Sequence, residues 1–182
     1  MAAAMVRVWD PVVRIVHWSV ALLVLCDLLN EAGANPWHRY VGYAAGALVV
    51  LRLAWGILGS HHTRLAAMAH SARELPKYLR ALQSGTRCYY VVHNPAGAWM
   101  AFTLWLLVLI IVITGWMLQL DAFWGDERLQ TLHTAVAYVL AACVVIHVTG
   151  ALVTSALHRT NLIKAMITGD KLDRNSTPQY RR

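Results

Sequence analysis

The stretch that decides the fold is AGAWMAFTLWLLVLIIVITGWML, residues Ala96 to Leu118, which contains no charged side chain. A helix needs about 20 predominantly apolar residues to cross the hydrocarbon core of a bilayer. The whole chain of 182 residues agrees with this pattern, because it is 58% hydrophobic and only 14% charged, with a mean hydropathy of +0.48. A soluble domain is nearer half apolar and a quarter charged. We therefore predict a transmembrane helix over this stretch.

Three further segments are long and apolar enough to cross a bilayer. They run from Val12 to Leu29, from Trp37 to Leu58 and from Leu129 to Leu157. Short polar loops join the first span to the second and the third to the fourth, and a longer polar segment, residues 59–95, separates the two pairs. The predicted fold class is an all-α integral membrane protein, a bundle of four transmembrane helices.

Lysine and arginine residues indicate how the spans are oriented, because cytoplasmic segments of membrane proteins carry an excess of them. The two short loops, with the span starts beside them, contain only Arg39 and Arg128. Apart from Arg52, the others lie in the N-terminal segment and the start of the first span, in the central segment and in the tail: Arg7, Arg14, Arg64, Arg73, Lys77, Arg80, Arg87, Arg159, Lys164, Lys171, Arg174, Arg181 and Arg182. We expect both termini and the central segment to be cytoplasmic. The net charge of +7 then belongs to a membrane surface and not to a nucleic-acid site.

The central segment and the tail are the polar parts of the chain. Residues 72–82 predict a short amphipathic helix, with apolar Leu75 and Tyr78 opposite basic Lys77 and Arg80. This helix is either interfacial, lying under the bundle, or a solvated linker. Residues 1–169 form the predicted membrane domain. The polar residues 170–182 are expected to be a disordered cytoplasmic tail.

Four of the nine histidines lie within or at the ends of predicted spans: His17, His38, His133 and His147. Ionisable residues inside a span are costly, usually face the bundle interior and tend to be functional. The predicted directions of the spans place His17 and His147 toward the cytoplasm, and His38 and His133 toward the outside. His133 and His147 are 14 residues apart, close to four helical turns, so they leave one helix face about 21 Å apart.

The histidines thus form an outer pair, His38 with His133, and an inner pair, His17 with His147. Two ligands at each of two levels are what two six-coordinate haems require, because a porphyrin leaves two axial positions on its iron and neutral imidazole suits iron well. The alternative for any one of them is a histidine bonded to a backbone carbonyl or a serine inside the bundle. No H-E-x-x-H motif or carboxylate cluster accompanies the histidines as a different metal site would require.

Arg52 follows His38 by 14 residues, so it returns to the same face at the level of the inner pair. An arginine at that depth is expensive unless it meets an anion, and a haem propionate is one. Arg14 and Arg39 lie near histidines too, although both are also placed to extend toward the membrane surface.

Two smaller features of the spans have more than one interpretation. Gly42 and Gly46 form a G-x-x-x-G pattern that suits close helix packing or clearance for a macrocycle. Asp27 is either a proton carrier or a boundary residue facing solvent. The remaining histidines, outside the paired four, are expected at the surface: His61, His62, His70, His93 and His158. The three cysteines form no disulfide framework, and C-x-x-C-H is absent.

Several motifs resemble the bacterial cytochrome b561 family, in the branch of cytochrome b subunits of nickel–iron hydrogenases. The opening V-W-D-P-V-V-R-I-V-H-W starts at Val8. The other matches, in chain order, are W-H-R-Y-V-G-Y (37–43), L-R-L-A-W-G (51–56), H-N-P-A-G (93–97), L-H-x-x-x-A (132–137) and H-R-T-N-L-I-K-A-M-I-T-G (158–169). Together they cover nearly the whole chain.

The resemblance implies two haem b groups, one near each membrane face, with His17, His38, His133 and His147 as axial ligands, and electron exchange with a quinone. Members of the family anchor periplasmic redox proteins, namely hydrogenases and c-type cytochromes. Others act alone and pass electrons from superoxide to ubiquinone. The expected function is transmembrane electron transfer between a periplasmic redox partner and the quinone pool, with the superoxide:ubiquinone oxidoreductase as the alternative. Whether the chain is an enzyme by itself, and whether it forms a homodimer, stays open, as does a non-redox membrane protein with structural histidines.

Overall fold

The computed structural model describes residues 5–7, 9–30, 35–58, 65–84, 95–158 and 160–172. Its elements are almost all helical. In chain order they are β1 (Met5–Arg7), α1 (Pro11–Leu29), α2 (Pro36–Leu58), α3 (Leu65–Arg73), α4 (Leu75–Gln83), α5 (Pro95–Met117), α6 (Glu127–His158), α7 (Leu162–Thr168) and β2 (Asp170–Leu172). The described residues group into two compact units, one centred on residues 15–54 and 100–146, the other on residues 55–99, 147–172 and the N-terminal segment up to Arg14.

Four of the helices, α1, α2, α5 and α6, are long and apolar enough to cross a membrane. Their bounds lie within two residues of the predicted spans, so the four predicted spans are confirmed. Boundaries are sharp because each helix begins where the sequence supplies a cap or a proline in the first turn. Asp10 Oδ1 accepts from the Val12 amide at 2.8 Å, and Asn35 Oδ1 accepts from the Trp37 amide at 3.0 Å. Asp126 Oδ1 receives two amides at the start of α6.

In the unit of residues 15–54 and 100–146, all four long helices share one apolar core. Val49 of α2, Val108 of α5 and Leu140 of α6 are buried at its centre, and α1 contributes Val20 and Val24. Large apolar side chains on the outer surfaces of these helices are exposed, among them Leu22, Ile113 and Tyr138. An apolar exterior around an apolar core is the arrangement that lipid requires.

The other unit contains the correction to the predicted amphipathic helix. In place of one helix over residues 72–82 there are two, α3 and α4, divided at Glu74. Pro76 explains the division, because it has no amide hydrogen to donate to the carbonyl of Ala72 four residues earlier. That carbonyl instead accepts from the indole nitrogen of Trp99 at 3.0 Å, which ties α3 to the first turn of α5. Whether α4 lies at the membrane interface stays a prediction.

The same unit joins the two ends of the described chain. β1 pairs antiparallel with β2, Met5 opposite Leu172, and the amide of Trp9 donates to the carbonyl of Gly169 at 3.1 Å. The guanidinium of Arg14 donates to the carbonyl of Ile167. Residues 170–172 are therefore ordered in a strand, which differs from the expectation of a disordered tail from residue 170. The rest of that tail, 173–182, lies outside the described residues.

Candidate functional site

The site centres on His38 in the first turn of α2 and His133 in the second turn of α6. Their ring centroids lie 6.2 Å apart, and the ring planes are at 77° to each other. Helices α2 and α6 begin at the same end of this unit. Because each histidine lies close to the start of its helix, His38 and His133 lie side by side. The structure thus brings together the two residues that depth alone assigned to the outer pair.

Asp27, near the end of α1, lies beside His38. Its Oδ1 is 2.9 Å from Nδ1 of His38, and the two side chains are only 16% and 24% exposed. The interpretation of Asp27 as a boundary residue facing solvent is therefore wrong: the carboxylate is mostly covered and faces a histidine. A charged group within a span requires such a polar partner, because lipid offers it none.

Thr114 of α5 provides the partner of His133. Its Oγ1 lies 2.9 Å from Nδ1 of His133, and it also lies 2.8 Å from the carbonyl oxygen of Ile110. The carbonyl oxygen of Ile111 lies 3.1 Å from the same hydroxyl. Carbonyls can only accept, so the single hydroxyl hydrogen of Thr114 goes to these carbonyls, of which Ile110 is the nearer. The hydrogen between Thr114 and His133 must then come from Nδ1 of the ring. This tautomer leaves Nε2 with the lone pair that a metal ligand needs.

Three glycines allow helices and side chains to come close around this site. A Cβ on Gly46 would lie 3.0 Å from Cγ2 of Val112, and one on Gly115 would lie 3.2 Å from Cε1 of His133. A Cβ on Gly42 would be in ordinary contact with Asp27, 3.4 Å from Oδ2. Gly46 of the G-x-x-x-G pattern therefore serves helix packing against α5, whereas Gly115, which the sequence did not single out, makes room for His133.

Arg52 lies on α2, on the same buried side as His38, and is 5% exposed. Its guanidinium carbon lies 5.1 Å from the ring centroid of Trp105 on α5, a cation–π distance. This arginine is thus buried within its helix. Its assignment to a haem propionate stays a prediction.

The inner pair belongs to two different helices. His17 lies in α1 and His147 in α6, and both side chains are partly buried. Helix α6 runs without a break from Glu127 to His158, so the 14 residues between His133 and His147 lie within one helix, as predicted. The pairing of His17 with His147 stays a prediction.

The other residues that the sequence singled out fall in several places. Arg39 donates to the side-chain oxygen of Gln119. His70 is exposed on α3, as predicted, and Cys26 and Cys143 are free thiols. The side chain of His158 and the residues His61, His62, His93 and Cys88 lie outside what the structure describes.

The outer pair fits a haem iron by two tests. Imidazole nitrogens bind metals at about 2 Å, so two rings on opposite sides of one iron have their centres roughly 6 Å apart, and the measured separation is 6.2 Å. Each Nδ1 also faces an acceptor, Asp27 or Thr114, the arrangement that orients metal-ligating histidines. Among the described residues, no group of three or more His, Cys, Asp or Glu side chains comes together as a metal site.

Four membrane-spanning helices with a histidine pair of this geometry define a class, the membrane-embedded b-type cytochromes. The family model of the prokaryotic cytochrome b561 matches residues 8–169. This chain belongs to that family, which confirms the resemblance predicted from its motifs. It is accordingly a multi-pass membrane protein of electron transfer, with haem b as its prosthetic group.

Curated relatives are similar over nearly their whole length. The probable Ni/Fe-hydrogenase B-type cytochrome subunit of Bradyrhizobium diazoefficiens is 24% identical over 91% of this chain and 85% of its own. The protein of the same description from Rhizobium leguminosarum bv. viciae is 26% identical, over 92% of this chain and 89% of its own. That of Azotobacter vinelandii is 22% identical, over 95% and 91%. No solved structure matches the chain significantly.

Proposed function

We propose that this chain is a di-haem cytochrome b that passes electrons between a periplasmic redox partner and the quinone pool of a bacterial inner membrane. The observation that supports it most strongly is the outer histidine pair, with 6.2 Å between ring centroids. When bound, each haem b supplies a centre that accepts and releases one electron. The residues of the chain bind these two centres, fix their positions and set the charge around them.

His38 and His133 are the proposed ligands of the outer haem, and His17 and His147 those of the inner one. The bundle core around Val49, Val108 and Leu140 holds α2, α5 and α6 in fixed register. Rigid packing is what an electron-transfer site needs, because ligand positions then change little between the two oxidation states. Arg52, buried on α2, is placed to stabilise an anionic propionate of the inner haem.

The charges of the short loops support a protein partner on the outer side. Asp121 and Asp126 are exposed in the loop before α6, and Glu127 is exposed at its first residue. An acidic surface steers a basic partner protein toward the outer haem. The curated relatives are described as hydrogenase cytochrome subunits, so a hydrogenase is the first partner we propose, with a c-type cytochrome as the second. We propose a quinone site on the cytoplasmic side, near His17 and Arg52.

The same acidic loop weakens the alternative of a superoxide:ubiquinone oxidoreductase. Superoxide is an anion, and a site for it would present positive charge near the outer haem. Of the two arginines near the short loops, Arg39, in the first turn of α2, donates to the side-chain oxygen of Gln119. Arg128, the other, lies among Asp121, Asp126 and Glu127 in the sequence.

The proposal is tested by electron transfer across a membrane. The protein is purified with haem, reconstituted into liposomes that contain a quinone, and reduced from outside by a membrane-impermeant one-electron donor. We expect quinone reduction in the wild type and its loss in His147→Ala, with the control His70→Ala, an exposed histidine of α3, behaving as the wild type. Equal quinone reduction in His147→Ala and the wild type would overturn the proposal. Superoxide that reduces the haem as fast as the impermeant donor does would favour the alternative.

A further inference from the structure

The two outer histidines have unequal partners. Nδ1 of His38 lies 2.9 Å from a carboxylate oxygen of Asp27, whereas Nδ1 of His133 lies 2.9 Å from the neutral hydroxyl of Thr114. The hydroxyl gives its own hydrogen to the carbonyls of Ile110 and Ile111, so it offers the ring only a lone pair. One ligand is thus held by a negative charge and the other by a dipole.

The surroundings of Asp27 keep that carboxylate against His38. It is 16% exposed, and its second oxygen, Oδ2, lies beside Gly42 of α2, one turn after His38, near the position that a Cβ would take there. A Cβ at that glycine would lie 3.4 Å from Oδ2. The carboxylate is therefore confined between α1 and α2, where water screens its charge less than at an exposed surface.

We propose that Asp27 is a positioning residue for His38, which holds the ring through Nδ1 and lowers the reduction potential of the outer haem. This inference rests on the proposed function, because it takes His38 as a ligand. A carboxylate that accepts the Nδ1 hydrogen fixes the tautomer and makes the imidazole a more basic ligand. A more basic ligand and a nearby negative charge both favour the oxidised iron over the reduced one, which lowers the potential.

The position of Asp27 also predicts which haem responds. Asp27 contacts His38, the proposed ligand of the outer haem, directly. The charged residue that we assign to the inner haem is a different one, Arg52, which lies 14 residues beyond His38 on α2. Loss of the carboxylate should therefore shift one haem only, the one that His38→Ala removes.

The test compares Asp27→Asn with the wild type in haem content and in a spectroscopic redox titration of the purified protein. Asparagine keeps the shape and an acceptor oxygen but removes the charge. We expect both haems to be retained, and the reduced-to-oxidised ratio of the outer haem at a fixed potential to rise about tenfold, which is about 59 mV for a one-electron couple. The inner haem should not shift. The matched control is Glu74→Gln, which removes a carboxylate from the turn between α3 and α4 and should shift neither haem.

The outcomes separate the two proposals. If His38→Ala keeps both haems, the ligand assignment fails and with it the proposed function. If His38→Ala loses one haem but Asp27→Asn shifts neither potential, or shifts both equally, only the role of Asp27 is overturned. If Asp27→Asn loses the outer haem, Asp27→Glu is the deciding variant. Retention of the outer haem in Asp27→Glu supports the positioning role of Asp27, and loss of the haem in that variant as well overturns the role.

Discussion

The hydroxyl of Thr114 on α5 lies 2.9 Å from Nδ1 of His133 on α6, and it donates its only hydrogen to the carbonyls of Ile110 and Ile111. The contact between two helices therefore decides which ring nitrogen of His133 keeps its hydrogen. A hydroxyl within an apolar helix thus leaves Nε2 of a histidine on another helix without a hydrogen, the form in which imidazole binds metals.

Replacing Thr114 by valine, which has nearly the same shape, should weaken haem binding at the outer site. The Nδ1 hydrogen of His133 would lose its acceptor, and an unsatisfied buried donor costs about 1–3 kcal/mol. Partners of this kind change metal affinity by about 10–100-fold. Haem titration of the apoprotein measures the effect, and Thr114→Ser, which keeps the hydroxyl, should bind as the wild type. Equal haem affinity in Thr114→Val and Thr114→Ser would show that this hydroxyl does not position the ring.

Gly115→Ala should disturb the outer site directly. The added methyl group would lie 3.2 Å from Cε1 of His133, so the ring must move by a few tenths of an ångström. We expect an altered absorption band, or loss, of one haem. Gly150→Ala on α6 is the control, because among the described residues nothing lies within 4 Å of a Cβ there. Identical spectra for the two variants would contradict the close approach of Gly115 and His133.

Gly46→Ala should destabilise the packing of α2 against α5. The new Cβ would lie 3.0 Å and 3.1 Å from the two methyl groups of Val112, and a β-branched side chain has few other rotamers in a helix. Overpacking of this kind costs about 1–3 kcal/mol, against a gain in helix propensity of about 1 kcal/mol for alanine over glycine.

A double-mutant cycle measures this clash. In the Val112→Ala background the obstacle is gone, so Gly46→Ala should become neutral or stabilising in thermal unfolding followed in detergent. Additive effects of the two changes would mean that Gly46 and Val112 do not restrict each other.

Arg52→Gln should lower the reduction potential of the inner haem and leave the outer one unchanged. A buried positive charge favours the reduced iron, which carries one positive charge less, so its removal has the opposite sign to the change expected for Asp27→Asn. Arg52→Lys keeps the charge and should lie nearer the wild type, although it loses the planar group over Trp105. If Arg52→Gln raises the reduction potential of the inner haem, or shifts only the potential of the outer haem, the proposed role of Arg52 beside the inner haem is contradicted.

The fold was predictable from sequence because four apolar windows stand out against polar, basic connections, and the helix bounds agree to within two residues. The outer histidine pair was predictable as well, since depth in a membrane is a one-dimensional property that chain direction determines. Two details were not predicted. The division at Pro76 could have been predicted from its missing amide hydrogen, whereas two strands of three residues each are too short to produce a sequence pattern.

The partners of the histidines were harder to predict. Thr114 lies in a segment that also contains Thr103, and nothing in the local pattern distinguishes the two, because the contact with His133 depends on how α5 and α6 rotate. The contact of Asp27 with His38 was predictable in part. Asp27 lies at the end of its span, His38 lies at the start of the next span, and a carboxylate within a span requires a polar partner.

The most direct test of the central claim is a pyridine haemochrome assay with a reduced-minus-oxidised spectrum on the wild type, His38→Ala and His147→Ala. The paired-ligand account predicts two b haems per chain in the wild type and one in each variant, with the two variants retaining haems of different potential. No haem in the wild type, or an unchanged count in both variants, would contradict it.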